Sequence, residues 1–188
     1  IRLYNARILT MEDECNVFFG EIWVKNDRII YVAKQEEINE VYNVDFPIPI
    51  WDREIDCKEN LLMPEFKNAH THSPMTLMRS LADDLPLQEW LETKIFPTEA
   101  KLTGEDIYQF TKLAILEYVS SGITGIFDMY LMPDYVAKAC MEMGMRCAIV
   151  SGLNNFTSSV EQTESEYLKW NQDNSLISDK LGCHAEYT

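Results

Sequence analysis

Residues 61–72 read Leu61-Leu62-Met63-Pro64-Glu65-Phe66-Lys67-Asn68-Ala69-His70-Thr71-His72, an apolar run that ends in two histidines spaced i, i+2. In a β-strand, alternate side chains share a face, so His70 and His72 point the same way from the strand's end. Two imidazoles held like that can occupy neighbouring corners of one divalent metal's coordination sphere. The chain has only 3 histidines, and two of them lie here. A surface His-Thr-His also arises by chance. The strand signal before it and the Ser73-Pro74 break after it favour the metal reading.

Beyond this strand the pattern alternates. Residues 74–82 and 87–95 carry helical periodicity, with Asp83-Asp84-Leu85-Pro86 between them. Thr103 is a good N-cap for a long helix to about Ser121, and Glu105 and Asp106 suit its positive N-terminus. Gly122 ends that helix, and 123–128 is an apolar strand. A helix over 133–143 stops at Gly144, a strand follows over 145–150, and another helix over 160–170. Leu181-Gly182-Cys183-His184 opens a further strand. Strands alternating with helices imply parallel βα units. Four of them form an open parallel sheet or half of a barrel, with Ile126, Ile149 and Val150 expected at apolar interior positions. Half a barrel leaves unpaired edges, so the chain is expected to be a fragment of a longer protein. Ile1 is not an initiator Met, and the true start is expected upstream.

Residues 1–60 read instead as short strands. Residues 3–10 are one candidate, and Glu21-Ile22-Trp23-Val24-Lys25 and Arg28-Ile29-Ile30-Tyr31-Val32 flank Asn26-Asp27, a hairpin signal. Residues 36–40 are polar. Phe46-Pro47-Ile48-Pro49 cannot be a central strand because proline lacks the ladder donor. A short strand over 51–57 leads toward the histidines. The expected division is a small β-rich unit over 1–60 and a βα unit over 61–188.

The bulk properties narrow the function. Hydrophobic content of 46% and aromatic content of 11% are those of a globular protein. A net charge of -15 argues against nucleic acid and anionic membranes as partners, since phosphate recognition needs basic patches. No apolar run approaches the roughly 18 residues that span a bilayer. Cys15, Cys57, Cys140, Cys147 and Cys183 are scattered, without a CxxC pair, and fit free thiols in a reducing cytoplasm. Asn155-Phe156-Thr157 matches the glycosylation triplet and reads as chance.

Taken together, Met63-Pro64, Asn68-Ala69-His70-Thr71-His72-Ser73-Pro74-Met75-Thr76, Arg79, Ala82-Asp83-Asp84-Leu85 and Trp90-Leu91 resemble the metal-dependent amidohydrolase superfamily. The nearest likeness is to its branch of 5-methylthioadenosine/S-adenosylhomocysteine deaminases and chlorohydrolases. It extends through Gly122-Ile123-Thr124-Gly125 and Gly144-Met145-Arg146 to Cys183-His184. The resemblance implies an α/β fold: the N-terminal half of a (β/α)8 TIM-type barrel preceded by part of a small β-sandwich. It also implies one divalent metal ion, zinc or alternatively iron, at the strand ends, with His70 and His72 as two of its ligands. The implied reaction is hydrolytic deamination of a nucleoside-like or heterocyclic amine by metal-bound hydroxide. Trp90 resembles a residue packing on the substrate, Glu99 one accepting ribose hydroxyls, and His184 a substrate-contacting histidine after the fourth strand. No catalytic acid or base of the family falls within these residues, so the chain by itself is expected to be inactive.

Each residue has a plainer reading. Trp90, at helical spacing with Leu87 and Leu91, can be a core aromatic. Glu99, after Pro97, can be a solvated loop or helix-start carboxylate. His184 can be an ordinary strand-end histidine, and Asp128 is expected to serve as a structural hydrogen-bonding group. Two departures from the family stand out: Glu65 replaces the usual glycine after proline, and Ser151 stands where the nucleoside deaminases tend to carry arginine. The expected partner is a small-molecule nucleoside or heterocycle, with no nucleic acid and no membrane, and homo-oligomerisation open. A guanine deaminase or chlorohydrolase type of ring hydrolase, or a non-catalytic interaction module, is the alternative.

Overall fold

The computed structural model describes residues 1–12, 16–43, 50–82, 84–153, 159–172 and 175–183. They form two compact units, Ile1–Pro64 and Glu65–Thr188.

The first unit is one five-stranded sheet. β1 (Arg2–Ile8) pairs antiparallel with β2 (Phe18–Lys25), which pairs with β3 (Arg28–Lys34) across Asn26-Asp27. The expected hairpin is present, and Asn26 takes the left-handed φ of 55° that its tight turn requires. On β1's other edge two short parallel strands dock in succession: β4 (Glu54–Asp56) on Arg2–Tyr4, and β5 (Leu61–Leu62) on Arg7–Ile8. A helix, α1 (Gln35–Asn43), follows β3 and packs on β2 and β3 with Ile38 buried. It forms where sequence periodicity showed only a polar stretch. Ala6, Ile8, Trp23 and Ala33 complete the core, and Trp23 packs its ring against Tyr31 and Trp51 at centroid distances of 4.6 and 5.0 Å. Residues 46–49 lie outside the described residues.

The second unit is a parallel sheet in the order β6-β7-β8-β9, formed by β6 (Phe66–Thr71), β7 (Ile123–Asp128), β8 (Arg146–Leu153) and β9 (Ile177–Cys183). The connections carry α4 (Gly104–Ser120), α5 (Pro133–Met143) and α6 (Val160–Trp170), after a shorter helical region that holds α2 (Leu87–Trp90) and α3 (Phe96–Glu99). Sequential order, parallel pairing and intervening helices are the βα repeat expected of a partial (β/α)8 barrel. α4 starts on a capping box in which Thr103 and Asp106 satisfy each other's backbone N–H groups. α5 ends at Gly144, whose φ is 72°.

Several expectations shift. The stretch 61–72 is two strands, because Leu61–Leu62 pairs with β1 and proline 64 cannot donate to a ladder. The units therefore divide between Pro64 and Glu65 rather than between 60 and 61. Residues 73–78 form a 3-10 segment, which ends before the positive φ of Ser80 and Ala82. The helix beginning at Leu87 continues past Ile95 through a π-helical turn (Leu91–Ile95) into α3. β9 begins four residues before Leu181. Ile126 and Ile149 are buried in the cluster that includes Ile107, Ile115 and Val136 of the helices, rather than on the barrel-interior side. By strand alternation Val150 takes the opposite face from Ile149.

Among the described residues no helix is long and apolar enough to cross a membrane. Cys57, Cys140, Cys147 and Cys183 are free thiols. Cys15 and the 155–157 triplet lie outside the described residues.

Candidate functional site

β6 and β7 run parallel with Thr71 opposite Asp128, so their C-terminal ends coincide. His70 is the next-to-last residue of β6, and His72 begins the turn beyond it. Their rings lie 5.2 Å apart between centroids and nearly perpendicular, at 82°. The i, i+2 spacing leaves the two imidazoles together at the C-terminal end of β6.

The hydrogen bond at His72 fixes its chemistry. Its Nδ1 meets the carbonyl oxygen of Met129 at 2.5 Å. A carbonyl can only accept, so Nδ1 carries the proton. With the proton on Nδ1, Nε2 is the nitrogen left to face a metal, the arrangement by which a second contact orients a metal-binding imidazole. His70 and His72 therefore fit two nitrogen ligands of a divalent ion. An open catalytic zinc site needs a third protein ligand, and among the described residues no group of three or more His, Cys, Asp or Glu is arranged to hold an ion.

Around the pair lies a buried polar network. Asp128, at the end of β7, is 0% exposed. Its Oδ2 accepts from the Ser73 backbone N–H at 3.1 Å and from the Ser73 hydroxyl. Tyr118 of α4 shares its hydroxyl with Ser73 Oγ at 3.1 Å and with Thr71 Oγ1. Burial pushes the Asp128 carboxyl up to about 6, against the opposing pull of the Ser73 bonds and His72. The hydrogen-bonding role expected of Asp128 is the one observed. Its other oxygen, Oδ1, has no hydrogen-bond partner among the described residues.

Glu99 reaches this strand end through Tyr130, a residue that sequence reasoning missed. The Tyr130 ring lies 6.5 Å from that of His72. Burial raises its phenol well above the usual tyrosine range, and the adjacent Glu99 carboxylate adds to the shift. Glu99 lies in the single turn of α3, which follows Pro97 as the helix-start reading has it, and it is partly buried rather than a solvated loop carboxylate. The available signal for Tyr130 was positional: it stands two residues past a strand's C-terminal end, where barrel chemistry is built.

The other expected residues sit differently. Trp90 is half-buried and donates its indole N–H to the Leu81 carbonyl at 3.0 Å, which ties the segment after the histidines to α2. Among the described residues no ring contact or hydrogen bond links Trp90 to His70 or His72. Ser151 is buried and donates to Glu166 of α6, so it turns toward the helix layer and not into a pocket. Glu65 pairs with Lys67, which holds its carboxyl down at about 2. A Cβ at Gly125 would come within 2.8 Å of the Lys67 side chain. His184 lies outside the described residues.

Residues 61–181, well over half of the chain, match the amidohydrolase family. The chain is 50% identical over 143 residues to the 5-methylthioadenosine/S-adenosylhomocysteine deaminase of Syntrophomonas wolfei, covering 73% of this chain and 33% of that protein. It is 38% identical over 194 residues to the protein of the same name from Pelotomaculum thermopropionicum, covering 100% of this chain and 43% of that one. Among solved structures, an adenosine deaminase from Xanthomonas campestris with bound zinc superposes with a TM-score of 0.84 at 29% identity, covering 100% of this chain and 43% of its own. The chain thus spans less than half the length of the proteins it matches.

Proposed function

The chain belongs to the amidohydrolase family, and from that premise we propose that the protein is a metal-dependent deaminase of a 6-aminopurine ribonucleoside, with His70 and His72 as two ligands of its divalent ion. The observation that carries this reading is the His70–His72 pair at a strand end, with His72 locked by Met129 into the tautomer that frees Nε2. Zinc is the ion we assign, on the chemistry of two imidazole ligands and on the zinc in the adenosine deaminase that this chain resembles.

When bound, the ion supplies Lewis acidity, bringing the pKa of a water molecule toward neutrality beside the substrate's amino-bearing carbon. The chain's own residues bind and orient. Glu99 offers its carboxylate as acceptor to the vicinal hydroxyls of a ribose, and Tyr130 neighbours both that carboxylate and the His72 ring. Trp90, whose N–H is committed to Leu81, has only its ring face to offer an apolar part of the substrate. His184, immediately after β9, is the third substrate contact in this reading.

Glu99 makes the reading testable in the full-length protein. A carboxylate left without its hydroxyl partners is penalised by a few kcal/mol, so adenosine, methylthioadenosine and S-adenosylhomocysteine should be turned over well ahead of adenine. Glu99→Gln should lower kcat/KM for the ribonucleosides by at least tenfold. Equal turnover of adenine and adenosine would remove Glu99 from the site. A preference for guanine or a chlorotriazine would move the protein to another ring hydrolase type.

A further inference from the structure

His72 stands at the least regular point of its segment. β6 ends at Thr71, and His72 leads the 3-10 segment with φ -128° and ψ 72° and no side-chain cap of its own. The direction of its imidazole is therefore set by the Met129 carbonyl on its ring together with whatever holds residues 71 and 73. Thr71 is held by the Tyr118 hydroxyl and by the Met129 N–H, which donates to its carbonyl at 3.2 Å. Ser73 is held by the same Tyr118 hydroxyl and, through both its N–H and its Oγ, by one oxygen of Asp128. Ser73 and Asp128 are 1% and 0% exposed, so water does not compete for these bonds.

We propose that Asp128 is the positioning residue of the histidine pair: its Oδ2, with Tyr118, clamps both neighbours of His72 and so fixes the imidazole against His70. This rests on the reading of the pair as metal ligands. A neutral asparagine could offer Ser73 the same single oxygen with less desolvation cost. The carboxylate adds negative charge beside His72, which favours a divalent cation there. The charge serves the ion, and the acceptor serves the geometry. Supports of this outer kind change metal affinity by 10–100-fold when removed.

The experiment uses the full-length zinc-loaded protein, with zinc affinity read by competition against a chromophoric chelator and the metal-free melting temperature read alongside. Ser73→Ala and Tyr118→Phe should weaken zinc binding by about tenfold while leaving the metal-free melting temperature within a few degrees of the parent. Asp128→Ala should weaken binding further, and Asp128→Asn should recover part of that loss. If Asp128→Ala fails to fold, the other three variants decide. Zinc affinity within twofold of the parent in Ser73→Ala, Tyr118→Phe and Asp128→Asn overturns the proposal, because a purely structural brace changes melting and not zinc affinity. His70→Ala separates the two levels. If it releases zinc while the Asp128 series does not, only the positioning role fails. If it too retains zinc, the metal-ligand reading falls and the positioning role with it.

Discussion

The two units treat buried carboxylates in opposite ways. In the first, Glu21 is 2% exposed, and both its oxygens are engaged: Arg2 grips it with Nε and a second guanidinium nitrogen, and the Trp23 indole donates at 3.0 Å. In the second, Asp128 uses one oxygen and leaves the other without a partner among the described residues, and Asp179 of β9, also 0% exposed, has no cation gripping it as Arg2 grips Glu21, so burial pushes its carboxyl up to about 6. A buried charge saturated by a bidentate arginine holds a fold together. A buried charge with spare acceptors costs stability, and such groups gather where chemistry is done. The first unit's buried carboxylate reads as scaffold; in the second, Asp128 stands at a strand's C-terminal end beside His72, whereas Asp179 lies in the third position of β9, level with Ile149, and reads as a buried acid of the helix-facing core.

The sharpest way to break the comparison is Arg2→Ala. It strands Glu21 in the first unit's core with only Trp23 as partner, and should cost about 3 kcal/mol or more in urea unfolding of the protein. A cost below about 1 kcal/mol would mean that Glu21 is not held as a structural charge.

Asp179→Asn should act in the other direction. Burial first, and then the negative Glu166, push the Asp179 carboxyl up to about 6, while Ser151 and Lys180 pull it down. Below about pH 4 the group is neutral in both folded and unfolded chains, and its favourable contribution is complete. As pH rises through about 6 the folded chain must ionise a buried acid, and that contribution is lost. The amide avoids this. Asp179→Asn should therefore melt a few degrees above the parent at pH 8, with the gap closing toward pH 4. The two bonds between Asn171 and the Asp179 backbone survive the change. A gap independent of pH would show that Asp179 is not the buried acid described.

Thr103→Ala gives the smallest effect, about 1 kcal/mol by thermal melting, because only one capping interaction at the start of α4 is lost. A tenfold change in zinc affinity from this variant would mean that α4 as a whole, rather than Tyr118 on it, supports the histidines.

Much of the second unit was legible in the sequence because its signals are local. Thr103 and Asp106 cap α4, Gly122 and Gly144 end helices, and the i, i+2 spacing of the histidines marks the pair. What escaped reading depends on contacts between distant residues. α1 became a helix because Ile38 had a sheet to pack on. Leu61–Leu62 went to β1, a pairing that only the three-dimensional edge offers. Asp179 and Lys180 interrupted β9's apolar pattern and hid its start at Ile177. Ser151 lies on the helix-facing side, so the absence of arginine there says less about the substrate than sequence position alone implied. Tyr130 carried no motif at all, and only its place past the end of β7 marks it.

The most direct test of the account is metal content. The full-length protein, purified without chelator, should hold about one zinc ion per chain, and His70→Ala and His72→Ala should each lose most of it while still folding. Elemental analysis that finds the same zinc in both variants as in the parent would contradict the assignment of the histidine pair.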